Sequence, residues 1–154
     1  MIAAVLVAVG LALVVGAEIF VPRWQLRQTG HVTVPSASAS PEAVVRAYIQ
    51  ADDAHDERAS RAMETPRFAR QESRAKESGP AHLRILRVYG TFPGPASEAT
   101  AGYAQVQRVM TDIEITDTWS IFGSRFDPGP EPRDFTMVRD RDSEPWRVAE
   151  FGSG

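Results

Sequence analysis

Apolar positions in "SPEAVVRAYIQADDAHD", residues 40–56, recur every three or four residues as Val44, Val45, Tyr48 and Ile49, which predicts an amphipathic helix whose apolar side is broken only by Asp52. Ser40 suits the N-cap, Pro41 the first helical position and Glu42 the positive end of the helix dipole, while "AHD" reads as a stop. Asp56 can cap a second short helix, "ERASRAMET", with Ala59, Ala62 and Met63 facing inward. Thr65 and Pro66 repeat the cap-plus-proline signal for a third piece, "RFARQESRAKES", polar except for Phe68 and halted by Gly79 and Pro80. Past Pro80 the period falls towards two: "HLRILRVYGTF", "TAGYAQVQRVMTDIEI", "TWSIFG", "DFTMVRD" and "WRVAEF" read as strands. The last two, joined by "RDSEP", predict an antiparallel hairpin, and the longest run loses its alternation from Gln107 to Met110, where a bulge would restore it. Helices first and strands afterwards make an α+β domain with the helices packed on one face of an antiparallel sheet.

The N-terminal part follows neither period. "MIAAVLVAVGLALVVGA", residues 1–17, carries no charge, and the apolar stretch continues to Val21 with Glu18 as its one interruption. That is close to the roughly 20 residues a helix needs to cross a bilayer. Residues 1–22 therefore read as a transmembrane anchor or signal segment, residues 23–40 as a linker ending in alternating Ser and Ala, and residues 41–154 as the folded domain. Cleavage after Ala17 would instead release a secreted domain. Arg23 and Arg27 follow the apolar run with no basic residue before it, and the positive-inside tendency of that pair argues for a cytoplasmic domain and against export.

Composition narrows the chemistry. The chain has 154 residues, 43% hydrophobic and 24% charged, with a net charge of −3, and its basic residues are interleaved with acids, so nucleic acid is not an expected partner. Cysteine is absent, which removes disulfides, thiol nucleophiles and thiolate zinc sites. His31, His55 and His82 are scattered, so no metal and no cofactor is expected. "GTFPGP" is a turn rather than a phosphate cradle, and Ser153 in "FGSG" lacks the strand-to-helix elbow of a nucleophilic serine.

"SPEAVVRAYIQADDAHDERASRAMETPRF", followed by strands and a closing "WRVAEFGSG", resembles the NTF2-like superfamily, and within it the small exported domains of high-GC bacteria. The resemblance covers residues 41–154 and implies a cone of about three helices on a curved antiparallel sheet. Some members of that superfamily are ketosteroid isomerases and polyketide cyclases that use the hollow of the cone, and others bind or scaffold without catalysis. Tyr48 falls where the isomerases carry an oxyanion-hole tyrosine, yet "PRFARQESRAKESGP" offers no hydrophobic-flanked acid resembling their base. Without a base, proton abstraction next to a carbonyl lacks its first step.

Tyr48 and Asp52, one helical turn apart, are the candidate pair, with water-reachable Asp52 as the bland alternative to an acid at a cavity mouth. Tyr103, Trp119 and Phe122 sit in strand contexts, where they pack the core or line the cone. On these grounds the chain is expected to be a single-pass membrane protein whose extracytoplasmic NTF2-like domain binds or scaffolds without catalysis. The alternative is a small-molecule isomerase or cyclase. Expected partners are the membrane, through the N-terminal helix, and either a protein or a small hydrophobic ligand, with a homodimer through the open sheet face as a further option.

Overall fold

The computed structural model describes residues 28–75, 81–117 and 130–153. The apolar segment 1–22, and Trp119 and Phe122 with the strand expected around them, lie outside the described residues. Among the described residues no helix is long and apolar enough to cross a membrane.

Helix α1 spans Pro41–Asp53, and the Ser40 hydroxyl accepts the Ala43 N–H at 3.3 Å, as its N-cap position requires. It ends at the "AHD" stop: His55 takes a left-handed φ of 53°, and the Asp56 N–H returns to the Ala51 carbonyl at 2.8 Å. Helix α2, Glu57–Ala62, is capped by Asp56, and α3, Pro66–Ala75, by Thr65, whose hydroxyl accepts the Phe68 N–H at 3.2 Å. The inward face of α2 differs from its expected one. Ala59 and Met63 are buried, but Ala62 is exposed and Ser60 lies inside instead. The serine is tolerated there because its hydroxyl bonds back to the carbonyls of Asp56 and Glu57.

The four described strands, β1 (Ala81–Pro93), β2 (Gln105–Asp117), β3 (Pro130–Arg139) and β4 (Arg147–Ser153), form one antiparallel sheet in sequence order, β3 and β4 being the expected hairpin. β2 starts later than its sequence suggests, because Thr100 and Gly102 (φ 91°) belong to the turn before it. The expected bulge in β2 is absent as well, since its register with β3 runs unbroken from Gln105 to Glu114. Thr111 fills an inward position by donating its hydroxyl to the Arg133 carbonyl at 3.1 Å, so the alternation never breaks. The irregularities fall in β1 instead, where Leu86 and Tyr89 are the extra residues, and at Ala149 in β4.

One face of the sheet, carrying Val109, Phe135, Met137 and Val148, packs against Val44, Val45, Tyr48, Ile49, Met63 and Phe68 of the helical layer. Each such fully buried side chain contributes about 1.5–3 kcal/mol. The other face carries cross-strand pairs: Arg84 with Glu114 at 2.6 Å, Arg108 with Asp134 at 3.3 Å, and Tyr89 with Asp112. At the hairpin end of that face the loop 94–104 folds back, with Gly94 against Val106 and the Ser97 hydroxyl on Glu150. The joint between α2 and α3 pairs with β4: the Val148 N–H reaches the Met63 carbonyl at 2.8 Å and its carbonyl accepts the Thr65 N–H at 2.9 Å.

The segment expected as a spacer is tied to the domain along its described part. The Thr29 N–H donates to the Ala54 carbonyl at 2.9 Å, the Val32 N–H to Asp56 Oδ2 at 3.0 Å, and Val32 and Ala39 pack on the core. Its backbone groups find partners at the helix ends, which its Ser/Ala composition does not advertise.

Candidate functional site

Tyr48 stands on the sheet-facing side of α1 and is 4% exposed. Its ring meets Phe68 of α3 and Phe135 of β3, with centroids 6.5 and 6.2 Å away, and Phe135 in turn stacks on Phe151 of β4 at 4.7 Å. The ring therefore sits among aromatic side chains, and its hydroxyl is buried with it. There it donates to Glu64 Oε1 at 3.0 Å. Glu64 is 3% exposed and is held in place by the pairing of its two neighbours, Met63 and Thr65, with Val148.

Burial, followed by the negative charges of Glu64, Asp52 and Glu72, pushes the Tyr48 hydroxyl far above the ordinary phenol range. The phenol is thus locked as a neutral donor, and its one proton is directed at Glu64. Its electrostatic surroundings are acidic. On the same inner face of the sheet Arg133 pairs with Glu131 and lies over the Phe151 ring, 5.6 Å from its centroid.

Of the residues singled out from sequence, Tyr48 is at the centre of this arrangement. Asp52 is half-buried one turn along α1 and acts on Tyr48 through its charge, while the hydroxyl's hydrogen bond goes to Glu64. Tyr103 is elsewhere: it closes the turn before β2, its N–H on the Thr100 carbonyl at 3.2 Å, and lines a hollow of about 510 Å³ with Gly94, Pro95 and Val106. A larger groove of about 580 Å³ runs between α1 and β1, lined by Arg46, Gln50, Asp53, Leu83 and Arg84 among others. Among the described residues no group of three His, Asp or Glu side chains is placed to hold a metal ion.

Glu64 is the residue that sequence reasoning missed, because "AMET" reads as the tail of a helix. The available signal was its place between inward-facing Met63 and the Thr65–Pro66 cap, which holds the joint close to the core.

Comparison with protein-family models, with curated proteins and with solved structures yields no match.

Proposed function

We propose that this chain is a membrane-anchored binding or scaffolding protein whose α+β domain, of NTF2-like type, is extracytoplasmic and catalyses no reaction. The observation that carries the non-catalytic reading is the buried bond from Tyr48 to Glu64. A tyrosine that stabilises a developing oxyanion must aim its proton at substrate, whereas here the proton is given to the protein's own carboxylate. A solvated outer sheet face, laced with arginine–carboxylate pairs, favours a partner that meets polar groups over a dry homodimer. The anchor reading is supported by the uncharged run from Met1 to Ala17.

A second reading has one observation in its favour. Glu64 supplies, within hydrogen-bond reach of Tyr48, the acid that an isomerase or cyclase would use as a base. The two readings separate on a β,γ-unsaturated steroid ketone incubated with the full chain in deuterated buffer. We expect no exchange of its α-protons above the buffer rate; exchange that is lost in Glu64→Gln would establish the enzyme reading instead. For the anchor, the full chain should partition into membranes and resist carbonate extraction, and recovery of the intact chain in the soluble fraction would refute it.

A further inference from the structure

Residues 28–40 connect two ends of one helix. Thr29 is bonded to Ala54, just past the C-terminus of α1, and Ser40 caps its N-terminus. The strap is fastened where it enters: beside the Thr29 bond, Asp56 uses one carboxylate oxygen to accept Val32 N–H and the other to cap α2 through Ala59 N–H at 3.1 Å. The side chain of Asp56 is nearly buried, and His31 covers it at 3.7 Å. Chain entering the domain thus arrives at the α1–α2 corner, not at a freely chosen point.

The opposite end of the domain is equally well defined. β1 runs antiparallel to α1, since the Leu83 N–H donates to Asp53 at 3.2 Å and Thr91 bonds Glu42 at the other end. The hairpin loop 94–104 therefore lies at the N-terminal end of α1, about 20 Å from the corner for a helix of this length. Between the apolar segment 1–22 and Gln28 only residues 23–27 intervene, a reach of about 17 Å when fully extended. Two of those five are arginines, and on the corner itself exposed Arg58 stands beside exposed Glu57.

We propose that the α1–α2 corner, residues 54–58, is the face that this domain presents to the bilayer its anchor enters, held in that orientation by the docked strap. The inference rests on the anchor reading above. A tether of five residues keeps Gln28 close to the bilayer, and a strap fastened at Ala54 and Asp56 passes that constraint to the corner. The hairpin loop then points away from the membrane, open to a partner in the aqueous phase.

The absence of cysteine makes the test direct. Glu57→Cys on the corner and Ala101→Cys on the loop each give a single labelling site for a fluorophore, and the full chain is reconstituted into phosphatidylcholine–phosphatidylglycerol vesicles containing acyl-brominated lipid. The Glu57 label should be quenched several-fold more than the Ala101 label. Val32→Pro, which removes the donor to Asp56 and leaves the α2 cap intact, should narrow that difference, and Asp56→Asn, which keeps one acceptor oxygen, should do so in part. Chain that enters the vesicles with both labels equally quenched overturns the orientation alone, as does a difference untouched by Val32→Pro in a protein with wild-type circular dichroism. Chain that fails to enter overturns the anchor and the orientation together.

Discussion

Asp56 and Glu64 stand at the two ends of one short helix, both are acids, and both are almost fully buried, at 5% and 3% exposure. Asp56 is satisfied by backbone: the amides of Val32 and Ala59 hold its carboxyl below the usual carboxylate range, in that order of importance. Glu64 instead receives a tyrosine hydroxyl from another helix. Burial alone therefore does not mark a functional acid. What separates the two is the partner, because an acid occupied by amides fixes the course of the chain, whereas one that accepts from a phenol ties α1 to the joint between α2 and α3 through side chains.

The contrast is broken most forcefully at Glu64. Glu64→Ala leaves the Tyr48 hydroxyl without its acceptor and opens a void beside it, and should lower stability in urea by about 3 kcal/mol. Tyr48→Phe removes the donor while keeping the ring contacts and should cost about 2 kcal/mol, with an unchanged m-value. A hydroxyl that merely met water would make that change nearly neutral, so the measurement separates a buried bond from simple packing. The effects should be less than additive in the double variant, since both remove the same bond.

Titration sharpens the same comparison in opposite directions. Tyr48 has a raised folded value, so its contribution is complete below the unfolded phenol value, about 10, and is lost as pH rises past it. Wild-type stability should then fall in alkali more steeply than that of Tyr48→Phe. Asp56 has a depressed folded value, so its contribution is present at neutral pH and is lost as pH falls through that value. Amide exchange at Val32 and Ala59 should rise together in acid, and in Asp56→Asn at neutral pH only one of the two should remain protected. The smallest effect is expected from Arg61→Ala, which breaks the exposed Glu57–Arg61 pair on the helix between the two acids and should change stability by less than about 0.5 kcal/mol.

The same pair explains what the sequence could and could not disclose. Asp56, Ser40 and Thr65 were legible as caps because a cap is a contract between residues two or three apart, written in local order. The apolar stripe of α1 and the final hairpin were legible for the same reason. Ser60 in place of Ala62 depended on how α2 settles against its neighbours, and the bulges of β1 depended on the strand it pairs with. Glu64 was signalled only by its place beside inward-facing Met63, because its burial is completed by β4, far along the chain. Tyr48 was found for its helix position, but the destination of its proton lay outside any local pattern.

The bridge that fastens Val148 to Met63 and Thr65 also sets an order of events. In a chain synthesised from its N-terminus, Tyr48 and Glu64 leave the ribosome long before β4 does, and contacts between distant segments form more slowly than local ones. Until Val148 arrives, the joint between α2 and α3 lacks the two backbone bonds that fasten it to the sheet, and phenol and carboxylate are more open to water. A nascent chain arrested before Arg147 should accordingly show Tyr48 ionising near pH 10, as a free phenol does. Completion of the final hairpin is the step that converts an ordinary tyrosine into one that keeps its proton in alkali.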